Sequence, residues 1–335
     1  MRHRKPPADP PRRRWSEQEE APRPAAPGWS SASWGAAGCF FLVHRRVLLR
    51  LLPAALLAGA LLPTLAQPPS PRGAPENLRF LAVADTGSGD GNQRAVGEQM
   101  GLVHQRRPVD LVLLGGDNIY PSGDLSLVEN TFQRPYAELL RAKVPFHAVL
   151  GNHDIRTGNG APQVAYKPFG MKGRYYTIRR GPVEFFLLDT NTNADWQRQI
   201  SWLRSVLAQS RAPWKVVVGH HPIYSSGFYG NDPHLGAKLT SLMKRQRVAL
   251  YINGHEHNYE RSKPIEGITY LVVGGGGASL RPVMATDQTA RAASVHSFAE
   301  IEATPRELRL WAWDRNGKLL DQAVLTQREE QGWRP

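Results

Sequence analysis

Apolar residues fall into short runs that break off at glycine, aspartate, asparagine or histidine. Leu78 to Ala84 reads as a buried strand and delivers Asp85-Thr86-Gly87 at its end. After the turn Gly87 to Gly91, the segment Asn92 to Gln105 sets Ala95, Val96, Met100 and Val103 on one helical face. Leu111 to Leu114 predicts a second strand, ending in Gly115-Gly116-Asp117-Asn118-Ile119-Tyr120. Phe132 to Lys143 predicts a helix that starts or breaks near Pro135. Phe146 to Leu150 predicts a third strand, ending in Gly151-Asn152-His153-Asp154. This strand–helix alternation predicts a mostly parallel α/β arrangement, in which ligands sit at the carboxyl ends of the strands.

Beyond residue 170 the pattern changes. Arg174 to Ile178 and Val183 to Asp189 predict a hairpin about Arg180-Gly181-Pro182. Trp196 to Gln209 is an amphipathic helix with Ile200, Leu203, Val206 and Leu207 on one face. Trp214 to Val218 leads into Gly219-His220-His221-Pro222, and His234 to Lys244 predicts another helix. The apolar run Val248 to Ile252 ends in Asn253-Gly254-His255-Glu256-His257, and Ile268 to Val273 runs into four glycines, Gly274 to Gly277. Ser297 to Ile301 and Leu308 to Trp313 predict a closing hairpin around Asp314 to Gly317. With no internal repeat and no second core, the pattern gives one catalytic domain over 77–327 and a tail over 328–335.

Charge divides the chain unevenly. The formal net charge of +13 includes a surplus of seven in residues 1–75, where eleven Lys/Arg face four Asp/Glu. The remainder is only mildly basic and carries no aromatic-basic stripe, so no nucleic-acid partner is expected. Residues 1–38 are rich in Pro, Arg and Ser and read as disordered, or as the product of a start codon placed too early. A basic stretch from His44 to Arg50 then precedes the apolar run Leu51 to Ala66, which is short for a membrane span and suits an export signal over about 44–66. Thr64-Leu65-Ala66 offers a cleavage site before Gln67. Arg45-Arg46 followed by Leu48-Leu49 resembles a twin-arginine signal, with His44 at the usual Ser or Thr position; an ordinary secretory signal is the alternative. The expectation is therefore an exported protein, periplasmic or secreted, with no stable membrane span after signal removal. Residues 67–76 form a Pro-rich linker. The only cysteine, Cys39, lies upstream of the cleavage point, so the mature part has no disulfide.

Asp85, Asp117, Tyr120, Asn152, His220, His255 and His257 all lie at or just past strand ends. Singly, each Asp reads as a turn residue and a lone His-x-His is weak. Together, two carboxylates, a phenol, an amide and three histidines are more donors than one metal takes. Two metals sharing a bridging carboxylate would use them, and such a pair clamps an in-line phosphoryl displacement. The phenol favours Fe(III) over Zn or Mg.

The ordered set Asp85-x-Gly, Gly116-Asp117-x-x-Tyr120, Gly151-Asn152-His153-Asp154, Gly219-His220 and Gly254-His255-x-His257 resembles the calcineurin-like metallophosphoesterases. Tyr120 points among them to the purple acid phosphatases, and the compact chain looks like their small, tartrate-resistant type, without the extra N-terminal domain of the larger plant-type enzymes. The resemblance covers about 78–325 and implies an α/β fold: a four-layer αββα sandwich of two mixed β-sheets flanked by helices. It assigns Fe(III) to Asp85, Asp117, Tyr120 and His257. It assigns Fe(II), Zn or Mn to Asp117, Asn152, His220 and His255. It places His153 beside the phosphate as leaving-group acid or transition-state donor, with Asp154 orienting it. His221 becomes a candidate substrate contact, and His234 falls roughly where the small enzymes keep another active-site histidine. The Gly274 to Gly277 run is expected to form a close-approach turn near the metals.

Two departures from the family are visible. The long cleavable loop of the mammalian enzymes, between the segments here represented by Asp189-Thr190-Asn191 and Trp196, is reduced to a few residues, and the family disulfide is missing. The expected activity is hydrolysis of phosphate monoesters by a metal-bound hydroxide, as in an acid phosphatase, by a monomer acting on small phosphate esters. The alternative is a phosphodiesterase of the same fold.

Overall fold

The computed structural model describes residues 77–327. The expected export signal, the linker and the tail lie outside the described residues. In chain order the elements are β1 (Leu78–Val83), α1 (Gly91–Arg106), β2 (Leu111–Leu114), α2 (Ala137–Arg141), β3 (Phe146–Ala148), α3 (Ala161–Ala165), β4 (Tyr176–Arg180), β5 (Val183–Leu187) and α4 (Trp196–Gln209). They continue with β6 (Trp214–Val218), α5 (Pro233–Arg245), β7 (Leu250–Asn253), β8 (Tyr259–Ser262), β9 (Thr269–Val273), β10 (Thr289–Ala293), β11 (Ser297–Ala303), β12 (Glu307–Asp314) and β13 (Leu319–Thr326).

Two mixed sheets face each other. One has the order β13-β12-β11-β1-β2-β3 and the other β10-β8-β9-β7-β6-β5-β4. β1, β2 and β3 pair in parallel, as do β5, β6, β7 and β9. Every other pairing is antiparallel. The mostly parallel arrangement expected from alternation is therefore corrected, and the mixed sandwich implied by the resemblance is what forms. The closing hairpin is corrected too. Asp314 to Gly317 does not close β11 on β12 but joins β12 to a further strand, β13, whose half-exposed pattern hid it.

Side-chain alternation builds three apolar layers. Leu78, Phe80 and Ala82 of β1 meet Phe185, Leu187, Val216 and Val218 between the sheets. Leu81 and Val83 point the other way, onto Val96, Met100 and Val103 of α1. Phe186 and Val217 cover Leu203 and Leu207 of α4 and Leu239 and Leu242 of α5. Each buried Val, Leu, Phe or Met among them contributes about 1.5–3 kcal/mol on burial. Strands buried on both faces explain the continuous apolar runs.

Helix starts follow their caps. Asp90, Asp195 and Asp232 accept from backbone N–H groups in the first turns of α1, α4 and α5. The sheets are also joined by a side-chain clamp. Asp321 of β13 accepts from Arg261 Nε (2.7 Å) and the Tyr259 hydroxyl (2.8 Å), both on β8. Among the described residues, no helix is long and apolar enough to cross a membrane.

Candidate active site

The candidate residues leave the carboxyl ends of five strands from both sheets. β1 delivers Asp85, β2 delivers Asp117 and Tyr120, and β3 delivers Asn152 and His153. β6 delivers His220 and His221, and β7 delivers His255 and His257. Backbone bonds tie these ends together: Asp85 N donates to Gly116 O (3.0 Å), Gly87 N to Asp117 O (3.2 Å) and Gly254 N to His220 O (2.9 Å). Asp85, Asp117 and His255 adopt φ of 56°, 53° and 67°. Left-handed backbone at three non-glycine positions of one site stores strain that the packed strands must hold. Gly116, at φ 92°, has no room for a side chain because a Cβ would strike the His220 ring. Gly274 is equally confined, since a Cβ there would come within 2.8 Å of Asp85 Oδ2. The glycine run is therefore a close-approach turn beside the carboxylates.

The donors converge as two sets. In the first, the Tyr120 hydroxyl lies 3.1 Å from Asp85 Oδ1, 3.0 Å from Asp117 Oδ2 and 3.2 Å from His257 Nε2. In the second, Asn152 Oδ1 lies 3.1 Å from His220 Nε2 and 3.1 Å from His255 Nδ1. Asp117 belongs to both, because its other oxygen, Oδ1, lies 3.5 Å from His220 Nε2.

Neighbouring carbonyls set two of the imidazoles. His220 Nδ1 faces Gly115 O (2.9 Å) and His257 Nδ1 faces Ser279 O (2.7 Å). A carbonyl only accepts, so both rings carry their proton on Nδ1 and aim the Nε2 lone pair inward. Those lone pairs then face Asp117 Oδ1 and, at 3.4 Å, Asp85 Oδ1. Buried carboxylate oxygens facing these nitrogens call for positive charge between them, which a bound cation would supply. Burial alone would lower the His220 pKa, but the Asp117 and Asp85 charges outweigh burial and raise it. Burial, with the charges of Asp117 and Asp85 beside it, raises the Tyr120 phenol well above its ordinary range. The donor set of oxygen anions, an amide and imidazoles fits two cations, with Asp117 shared.

His153 stands at the edge of the first set, its ring 4.5 Å from that of Tyr120. Its Nδ1 lies 2.7 Å from Pro121 O, while Nε2 lies 3.5 Å from Arg156 Nη2. The expectation that Asp154 orients this histidine is corrected. Asp154 is fully buried and accepts from Asn118 N (2.9 Å), Ile119 N (3.2 Å), Gly151 N (2.8 Å) and Gln163 Nε2 (2.9 Å). It pins the ends of β2 and β3 together, and the Pro121 carbonyl holds His153 instead. Burial and the nearby Asp117 charge push the Asp154 pKa up to about 7 against those donors.

His221 borders the second set, with ring centroids 4.9 Å from His220 and 4.7 Å from His255. Burial, then the His220 charge, lowers its pKa to about 3. Thr190 Oγ1 accepts from His220 N and His221 N, both at 3.0 Å, and lies 2.8 Å from His221 Nδ1. Its hydroxyl proton therefore goes to His221 Nδ1, leaving Nε2–H as a donor. His234 does not join the site. It is exposed on the first turn of α5, without a hydrogen bond or ring contact to the cluster. Tyr229 stacks on His255 instead, at 4.6 Å and 18°.

Thr190, Tyr229, Arg156 and Arg281 escaped the sequence reading.

Comparisons with known proteins identify the chain's relatives. The family model described as calcineurin-like phosphoesterase matches residues 78–259. Purple acid phosphatase 3 of Arabidopsis thaliana is 30% identical over 232 residues, 60% of this chain, and the chain spans 63% of that protein. Tartrate-resistant acid phosphatase type 5 of Oryctolagus cuniculus is 28% identical over 308 residues, covering 78% of this chain and 94% of that protein. The solved purple acid phosphatase PPD1 from yellow lupin (Lupinus luteus) seeds has a similar fold, with a TM-score of 0.63 and 19% identity. That likeness covers 75% of this chain and 54% of the lupin chain. Motif order, sheet topology and these relatives together show that the chain belongs to the calcineurin-like phosphoesterases, a family of hydrolases, and within it to the purple acid phosphatases.

Proposed function

We propose that this protein is an exported phosphatase that hydrolyses phosphate monoesters at a centre for two metal ions. The observation that carries the reading is the division of Asp117, whose Oδ2 faces Tyr120 and whose Oδ1 faces His220. On this reading Asp85, Asp117, Tyr120 and His257 hold one ion, ferric by virtue of the phenolate. Asp117, Asn152, His220 and His255 hold the other, Fe(II), Zn or Mn. When bound, the two ions supply charge neutralisation for an in-line phosphoryl displacement and a water of lowered pKa.

The protein groups supply the rest. His153, fixed through Nδ1–H to Pro121 O, turns Nε2 to the substrate and in its protonated form hands that proton to the leaving oxygen. His221 Nε2–H offers a hydrogen bond to a phosphate oxygen. Arg156, beside His153, adds positive charge where a phosphate dianion arrives. Asp154 keeps the β2 and β3 ends in register. The basic stretch His44 to Arg50 and the apolar run Leu51 to Ala66 support export.

The test is the ratio of hydrolysis rates for an aryl phosphomonoester and the matching diester, measured on metal-loaded protein. A strong monoester preference at acidic pH supports the reading. A diester preference keeps the fold and the donor sets but makes the protein a phosphodiesterase.

A further inference from the structure

The loop between β6 and α5 carries two large exposed aromatic side chains, Phe228 at 66% and Tyr229 at 51% exposure, directly beside the candidate site. The Tyr229 ring lies flat on His255, and Phe228 meets Tyr229 edge-on at 5.2 Å. Arg281 holds its guanidinium 4.7 Å from the Tyr229 ring centre and donates to His255 O at 2.6 Å.

Solvent exposure of two adjacent aromatic rings is unfavourable, and a free loop would fold them inward. This loop is held. Glu256, buried between the two histidines of the His-x-His motif, accepts from Tyr229 N at 2.5 Å and also from the backbone of Phe228 and Gly230. Glu260, also buried, accepts from Ser226 N (2.8 Å), Ser226 Oγ (2.6 Å) and Ser225 Oγ (2.9 Å). A bridge from Gly227 to Val283 and a bond from Met284 N to Ser226 O (3.1 Å) tie the loop to the segment that carries Arg281. Two carboxylates from the His255 side thus fix the aromatic pair in place.

We infer that Phe228 and Tyr229 form a rigid aromatic wall that selects phosphate monoesters whose organic group carries an aromatic ring, over those with small alkyl groups. The inference rests on the phosphatase reading above and names the substrate class of that site. A ring attached through the ester oxygen meets the more exposed Phe228 ring edge-on or offset, as aromatic pairs prefer, while Tyr229, held between His255 and Arg281, backs Phe228. Glu256 and Glu260 are positioning residues, because they act only through the loop.

The experiment compares wild type, Phe228→Ala and the double variant Phe228→Ala/Tyr229→Ala, all metal-loaded. The first readout is kcat/KM for phenyl phosphate and for glycerol phosphate. The phenyl-to-glycerol ratio should fall severalfold in Phe228→Ala and about tenfold in the double variant, mainly through KM. Comparing ratios cancels the intrinsic difference in leaving-group reactivity. An unchanged ratio, or equal losses on both esters, overturns the wall. The second readout is calorimetric binding of phenylphosphonate against methylphosphonate, neither of which is turned over. Wild type should prefer phenylphosphonate, and Phe228→Ala should lose most of that preference. If wild type hydrolyses neither ester yet shows this pattern, the phosphatase reading fails and the wall stands. Equal or absent binding of the two phosphonates overturns the wall whatever the activity.

Discussion

The Tyr120 hydroxyl lies 3.0 Å from Asp117 Oδ2, three residues before it on the same strand-end turn, while Asp117 Oδ1 faces His220. One carboxylate therefore touches both donor sets. Asp117→Asn should lose bound metal and lower kcat/KM by about 10³-fold or more, because the shared negative charge goes. Metal content and steady-state kinetics on the same preparation check this. Full metal occupancy with normal turnover would remove Asp117 from the role.

Tyr120 supplies a test that needs no substrate. Its hydroxyl is within 3.2 Å of Asp85, Asp117 and His257 side-chain atoms. Iron-loaded protein should show a visible tyrosinate-to-Fe(III) band, and Tyr120→Phe should abolish it. Persistence of the band in the variant would assign the colour elsewhere.

His153 should matter most for reluctant leaving groups. With its Nδ1–H committed to Pro121 O, its Nε2 is the end that can take up a proton and give it to the leaving oxygen. His153→Asn should lower kcat by about 10²–10⁴-fold for alkyl phosphates and much less for an activated nitrophenyl ester. Equal losses on both would argue for a binding role only.

Away from the site, Asp321 makes stability depend on pH. Burial alone would raise its pKa, but bonds from Arg261 and Tyr259 outweigh burial and hold it below the ordinary carboxylate value. A depressed folded pKa gives stability that is present above the unfolded value of about 3.9 and fades as pH falls through the folded value. Asp321→Asn should cost about 1–3 kcal/mol at neutral pH, and the gap to wild type should narrow below about pH 4. Urea titrations at a series of pH values measure this, and a gap that stays constant down to pH 3 would discount the ionised clamp.

Local signals were legible wherever one element acted alone. α1 and α4 follow from helical spacing and their aspartate caps, and β1, β2 and β7 from apolar runs ending in polar residues. β8, β10 and β13 were not legible. Their Glu260, Arg261, Arg291, Asp321 and Gln322 read as polar loop. β10 and β13 are edge strands, which need no apolar run. β8 lies inside its sheet but buries polar Glu260 and Ser262, whose partners are side chains and backbone groups from other segments.

The sequence alone determined the donor types and their order at the strand ends, because a run of apolar residues followed by Asp, Asn or His is a local pattern. It determined the one buried-strand-per-motif rhythm for the same reason. Only the tertiary structure decided which strands pair and in which direction, since β1 lies between β2 and β11, more than 200 residues downstream. It also decided that Asp154 ties two turns rather than orienting His153, and that Tyr229, not His234, meets His255. Those outcomes depend on where loops from different strands are carried by the packing of two sheets. Spacing along the chain holds no record of such distances.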